Sequence, residues 1–176
     1  HRTQAARKFV TAADHLDTFE PHPQGHSIAV TTRGRLVTFP LWEGAVRQHG
    51  DDDDSGRYRH GQWVDGGRTL VAVADGSGEE RVVVESDGSA RSLPWDVGRV
   101  IALRAAPRGH LVALTNHRNE VWVGDLATGE AWLADRSDAG RSDDIAWSPD
   151  GLWLAYSLWV GLRHCAIKLS DPAART

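Results

Sequence analysis

Methionine is absent from the 176 residues, cysteine occurs once, at Cys165, and no apolar run approaches the roughly 20 residues of a membrane helix. A lone cysteine excludes a disulfide framework and fits a reducing compartment, so a cytoplasmic location is expected. There is no excess of positive charge. Lys and Arg number 20, Asp and Glu 24, and the two signs are interspersed, giving −4 overall. That balance excludes an electrostatic pull toward nucleic acid or an anionic membrane, and neither is expected as a partner. The first residues, His-Arg-Thr-Gln-Ala-Ala-Arg-Lys, are polar and unlike a secretory leader. With no initiating Met, the chain is expected to begin inside a longer protein or after processing. Helix-length 3.6-residue periodicity is lacking throughout.

What the chain does have is glycine, 18 residues, and tryptophan, eight. Gly25, Gly67, Gly109 and Gly151 stand 42 residues apart, the last closing a Ser-Pro-Asp-Gly turn between two apolar stretches. Three residues after each glycine come Ile28, Leu70, Val112 and Leu154; four after, Ala29, Val71, Ala113 and Ala155; two before, Pro23, Asp65, Pro107 and Pro149. Trp63 and Trp147 each lie four before their glycine. Four short strands within about 42 residues describe one propeller blade, a twisted antiparallel meander. The fold class is therefore all-β: four repeats of four strands, a partial β-propeller.

The chain divides into a lead-in segment, 1–16, and a four-blade arc, 17–176, with blades at about 17–56, 57–96, 97–141 and 142–176. In the lead-in, residues 6–10 could form a strand and 11–16 a turn of helix. Arg33-Gly34, residues 75–78 and Asp87-Gly88 carry turn chemistry. In the third blade, strands are expected at 100–105, with Ile101, Leu103 and Ala105 on one face, and at 111–115, 120–123 and 130–134. In the fourth, 152–158 and 164–169 are strands and the outermost strand is missing. Phe19, six before Gly25, and the tryptophans beside the turns should fill the layer between blades.

One blade cannot bury its own faces, so blades must stack around an axis. Strand spacing and length give a face of about 350 Å², worth about 4 kcal/mol if half apolar. An open arc leaves two such faces wet, and self-association or a larger propeller is expected. Residues 6–10 could supply the missing strand of the last blade.

Phe39-Pro-Leu-Trp-Glu-Gly-Ala-Val-Arg-Gln-His-Gly50, Gly56-Arg-Tyr-Arg-His-Gly-Gln-Trp63, Gly78-Glu-Glu-Arg81, Asn116-His-Arg-Asn-Glu120, Asp135-Arg-Ser-Asp138 and the stretch from Ile145 to Tyr156 resemble the propeller region of actinobacterial tricorn protease homologues. Blade geometry does not demand Trp-Glu-Gly or Arg-Gln-His-Gly, so these connections carry more of the resemblance than the repeated turn. It covers about residues 6–169. It implies a large cytoplasmic serine peptidase with six- and seven-bladed propellers, a PDZ module and a catalytic core. The matched part would be the seven-bladed propeller, a filter and channel for peptides. Seven blades would need about 294 residues, so four are about half. The PDZ and catalytic stretches are absent from this sequence, and no catalytic residue of the family maps onto it.

The candidate sites read mostly as structure. Four aspartates at 51–54 lack the alternating ligand spacing of a calcium loop. His22 and His26 have helical zinc spacing, but Pro23 and Gly25 forbid the helix, and His49 and His60 fare no better. Cys165 follows His164 directly and faces the opposite side of a strand, which reads as a small buried hydrophobe. Ser148 belongs to a repeated turn, bonds its backbone, and has no Gly-x-Ser-x-Gly elbow around it. Residues 75–78 are glycine-rich without the features of a phosphate loop. Arg57, Arg59, Arg104, Arg108 and Arg141 lie near blade starts, where they could hold peptide carboxylates. Catalytic, metal and cofactor residues are expected to be none. The reading is a module that gates peptides toward a catalytic core elsewhere, with the remaining blades, PDZ and catalytic domains as partners. Its alternatives are a WD-repeat or TolB-like propeller that docks a protein, and a propeller enzyme with chemistry at the channel mouth.

Overall fold

The structure, a computed structural model, describes residues 11–50, 56–76, 78–86, 89–142 and 144–175. Helical content among them is limited to two single 3-10 turns, Ala12–Asp14 and Asp65–Gly67. Among the described residues fifteen strands form four antiparallel meanders. The first sheet is β1 (Leu16–Pro21), β2 (Ser27–Thr32), β3 (Arg35–Pro40) and β4 (Arg47–Gln48). The second is β5 (Tyr58–Val64), β6 (Thr69–Ala74), β7 (Arg81–Ser86) and β8 (Ser89–Ser92). The third is β9 (Val100–Ala105), β10 (Leu111–Asn116), β11 (Glu120–Asp125) and β12 (Ala131–Arg136). The fourth has three strands, β13 (Ile145–Trp147), β14 (Leu154–Gly161) and β15 (His164–Ser170).

The turn glycines carry the repeat because the backbone there is left-handed. Their φ angles are 74°, 94°, 75° and 77° for Gly25, Gly67, Gly109 and Gly151, a region where other residues are strained. The Arg33-Gly34 hairpin has both central φ angles positive, as a two-residue turn between twisted strands requires.

β1 touches β5, β5 touches β9, and β9 touches β13, so the first strands of all four sheets converge on one axis. Alternation in the second strand then supplies both faces of a joint. Ala29, Val71 and Ala113 look toward the following blade and are buried; Leu70, Val112 and Leu154 look toward the preceding one and are buried. Three apolar clusters result, one per joint. The largest, between the second and third sheets, includes Val71, Val73, Val82 and Val84 against Val100, Leu103, Val112 and Leu114. Ala113, Val121 and Val123 meet Ile145, Leu154, Tyr156 and Leu158. The first joint is smaller, with Leu36, Tyr58, Ala72, Ala74 and Val83.

Four expectations need correction. Ile101 does not share a face with Leu103: the ladder pairs Ala102 with Thr115 and Val100 with Asn116, so Ile101 is the extra residue of a β-bulge and is exposed while Val100 and Leu103 are buried. Phe19 does not fill an inter-blade layer. It stands 57% exposed, although Leu103 and Ile145 at the same repeat position are buried, because among the described residues no sheet packs on that face of the first. Cys165 is exposed, not buried, because among the described residues β15 has no neighbour on its outward face. The second strand of the last sheet also starts later and ends later than expected, at Leu154–Gly161. The strand expected at 6–10, the aspartates at 51–54, Ser77 and the Asp87-Gly88 turn lie outside the described residues.

Candidate functional site

Three of the four innermost strands carry a bulge near their start: at Asp17 in β1, at His60-Gly61 in β5 and at Ile101 in β9. Each adds a residue to the strand nearest the axis, which redirects side chains there. Along β1, β5 and β9 runs a groove of about 540 Å³ whose wall includes Phe19, Glu20, His60, Gln62 and Arg104. Its chemistry is mixed. Phe19 and Leu16 offer exposed apolar surface. Burial pushes the Glu20 carboxyl above its usual range, and the nearby Arg104 guanidinium pulls it partway back. Burial also holds the His60 imidazole down to about 4, assisted by the positive charges of Arg59 and Arg104. His60 is therefore neutral at pH 7, its φ is +56°, and its Nε2 is buried with no hydrogen-bond partner. The groove can offer hydrogen bonds, one cation and an aromatic wall.

The inner strands are stapled by side chains at fixed repeat positions. Trp63 Nε1 donates to the Glu20 carbonyl at 3.2 Å, and Trp147 Nε1 donates to the Arg104 carbonyl at 3.0 Å. In the third sheet the tryptophan position is Ala105, and the staple is inverted: the Ala105 N–H donates to Gln62 Oε1 at 2.6 Å.

The family model for the tricorn protease second beta propeller domain matches residues 16–176. The chain belongs to the tricorn second-propeller family. A tricorn protease homolog from Saccharolobus solfataricus is 28% identical over 169 residues, which is 96% of this chain and 15% of that protein. The crystal structure of the tricorn protease superposes with a TM-score of 0.79 at 20% identity, covering 93% of this chain and 16% of the other. TolB from Acinetobacter baumannii gives a TM-score of 0.66 at 17% identity, over 91% of this chain and 42% of its own. The chain thus spans a small part of its tricorn relatives, and the solved structures share its fold.

The five arginines of this tricorn propeller segment are dispersed. Arg104 alone among them lines the groove, with its Nη1 donating to the Leu103 carbonyl at 2.9 Å. Arg59 is committed to an ion pair with Glu80. Arg57 packs against Gly34, and its N–H donates to Asp75 Oδ1 at 2.6 Å. Arg108 is exposed beside the Gly151 turn, where it lowers the Asp150 pKa after the larger effect of the Ser148 hydroxyl. Arg141 lies exposed in the connection from β12 to β13. The repeat glycines Gly25, Gly67, Gly109 and Gly151 and the tryptophans Trp63 and Trp147 do not line the groove; they are framework. His22 is framework too: it accepts the Gln24 N–H on Nδ1, donates from Nε2 to the Gly67 carbonyl at 3.0 Å, and stacks on His26 at 3.8 Å. Ser148 Oγ accepts the Trp153 N–H at 2.9 Å inside its own turn.

Sequence reasoning missed Glu85, Glu80 and Trp95. Thr38 Oγ1 lies 3.0 Å from His49 Nε2, and His49 Nδ1 lies 3.3 Å from Glu85 Oε2, all between the first two sheets. His49 and Glu85 are buried, and burial keeps the imidazole below its usual pKa despite the carboxylate. A hydroxyl, an imidazole and a carboxylate in a row invite a catalytic reading, but the row joins blades. Glu80 spans the next joint, accepting the Val100 N–H at 2.8 Å while pairing with Arg59, at the edge of a 910 Å³ cleft that also holds Arg99 and Arg118. Trp95 lies over Gly124 and donates to the Gly129 carbonyl at 2.8 Å. The signal for one of these was present: Glu80 falls within the Gly-Glu-Glu-Arg stretch that blade geometry does not require, as His49, the partner of Glu85, falls within Arg-Gln-His-Gly.

Proposed function

We propose that this chain is the substrate-gating part of a tricorn-like serine peptidase, passing peptides along its inner-strand groove toward a catalytic core carried elsewhere in the parent protein. The observation that supports this most is the groove itself. It combines exposed Phe19, the Arg104 cation and neutral His60 on the strands nearest the axis. An extended peptide presents alternating apolar and hydrogen-bonding groups and one terminal carboxylate, which suits an aromatic wall and one guanidinium. A peptidase of this kind works in the cytoplasm, needs no cofactor in this segment, and has the remaining blades and the PDZ and catalytic domains as partners.

The test is peptide hydrolysis by the full-length parent carrying Arg104→Glu. KM for long peptides should rise several-fold, while kcat on a short substrate that bypasses the channel stays unchanged. Equal kinetics on long peptides would remove the gating role. The second reading, a propeller that docks a protein partner, draws on the likeness to TolB. It requires a parent gene without a peptidase core.

A further inference from the structure

The 910 Å³ cleft at the joint between the second and third sheets shares no residue with the inner-strand groove. Its walls come from three connections: β6–β7 with Glu79 and Glu80, β8–β9 with Leu93, Pro94, Trp95 and Arg99, and β10–β11 with Arg118. Both sheets pack against a further sheet on their other side, so the cleft is internal to the arc. Two of its arginines stand on fixed backbone. The Arg99 N–H donates to His117 Nδ1 at 3.0 Å, and the Arg99 carbonyl accepts the His117 N–H at 3.0 Å. The Arg118 N–H donates at 2.9 Å to Oδ1 of buried Asn116. Gly98 brings Arg118 beside Arg99. Its φ is +61°, and a methyl group on it would lie 2.6 Å from His117 Cε1 and 3.2 Å from Arg118 Cζ, so the Arg118 guanidinium packs on the residue that precedes Arg99. Yet both guanidiniums have weak partners. Arg99 is 70% exposed, and its ion-pair contact among the described residues is Glu80 Oε1 at 3.8 Å, an oxygen already held by Arg59. Arg118 pairs at 3.0 Å with Asp96, whose carboxylate is 88% exposed, a pair that water screens. The backbone is locked and the charges it presents are left over.

The geometry points to a second ligand site: the cleft binds the C-terminal residue of a peptide, its carboxylate on Arg99 and Arg118 and its side chain against Leu93, Pro94 and Trp95. Planar guanidinium forks match a carboxylate with parallel hydrogen bonds. The remaining charges select among anions. Against Arg81, Arg99 and Arg118 the cleft sets Asp75, Glu79, Glu80 and Asp96, so a dianion such as phosphate meets more repulsion than a single carboxylate. Glu79 is exposed on the β6–β7 connection and can accept peptide N–H groups, which a simple anion lacks. The volume lies within the range of about 300–1,000 Å³ that ligand pockets occupy. The site does not rest on the peptide-gating reading, since none of its residues lines the inner-strand groove.

The test is photo-crosslinking of the full-length parent with tetrapeptides that end in benzoylphenylalanine, the labelled residues being read by mass spectrometry. One peptide has a free C-terminal carboxylate, one is amidated, and one is amidated with glutamate as its third residue. The free acid should label residues 93–95, and the amide should label them about ten-fold less. Arg99→Gln and Arg118→Gln should each lower labelling by the free acid several-fold, and the double variant should reduce it to that of the amide. Should Arg118→Gln fail to fold, Arg99→Lys still tests the site: it keeps the charge without the fork, and labelling should fall between the unsubstituted protein and Arg99→Gln. Equal labelling by acid and amide, labelling confined to the inner-strand groove, or full labelling of the double variant would overturn the inference. So would the glutamate amide matching the free acid, since the site would then read a side-chain carboxylate and not a chain terminus.

Discussion

A methyl group on Gly67 would sit 2.0 Å from His22 Nε2, whereas one on Gly109 would meet nothing within 4 Å. Both glycines have positive φ, so both substitutions carry backbone strain of about 1 kcal/mol. Gly67→Ala must also displace a buried, stacked imidazole from its hydrogen bond, and should cost about 2–4 kcal/mol in urea unfolding against about 1 for Gly109→Ala. Equal losses would mean that His22 moves aside freely. His60 makes a second residue-scale prediction. Its folded pKa, about 4, lies below the unfolded value of 6.5, so the unfolded chain binds more protons between those limits. Stability from this group is fully present above pH 6.5 and is lost as pH falls toward 4. His60→Gln should flatten the stability profile across that window; an unchanged acid limb would place the loss on other groups. The turn glycines were legible because backbone geometry recurs with the repeat. The state of His60 was not, because it depends first on burial between sheets and then on Arg59 and Arg104, and Arg104 comes from another sheet.

The staples between inner strands act at the scale of elements. Trp147→Phe keeps the ring and removes the N–H that the Arg104 carbonyl accepts, so about 1 kcal/mol should be lost. Gln62→Met should cost at least as much, since it leaves the Ala105 N–H without its acceptor. Both changes act on the one peptide group that joins Arg104 to Ala105, so their losses should be non-additive in a double variant; simple additivity would mean that the two hydrogen bonds do not reinforce each other through it. At the outer rim, Asp135 accepts from Lys168 Nζ at 2.7 Å and from the Tyr156 hydroxyl at 2.9 Å, tying β12 to the last sheet. Burial opposes ionisation of Asp135, but these two donors outweigh it and hold its carboxyl below the usual range, while burial and Asp135 push the Tyr156 hydroxyl up. Trp63 and Trp147 stood out in the sequence because they recur at one offset from the turn. Gln62 did not: it performs the same task with donor and acceptor exchanged, which no residue-type pattern reveals.

Taken whole, the arc is uneven. The joint between the second and third sheets gathers branched aliphatic residues and Trp95, while the first joint rests on Leu36, Tyr58, two alanines and Val83 with the His49–Glu85 pair beside them. Stacked repeats unfold joint by joint when neighbouring terms differ. Amides of β2 and β3 should therefore exchange with deuterium sooner than those of β6 and β10; uniform protection would show one cooperative unit. The propeller class was legible at this scale from the 42-residue period. The strength of each joint was not, because it is set by which connections carry His49, Glu80 and Trp95 across to the next blade. The inner staples have a last consequence, for tolerance to insertion. Each runs between residues four or five places before successive turn glycines, so its register is counted backward from the turn. Extra residues placed in the exposed connection at 41–46 leave that count untouched, while one added between Gln62 and Gly67 shifts both partners at once. A foreign peptide should be accepted at the rim and rejected beside the axis, which makes the outer loops the ground on which this scaffold can vary.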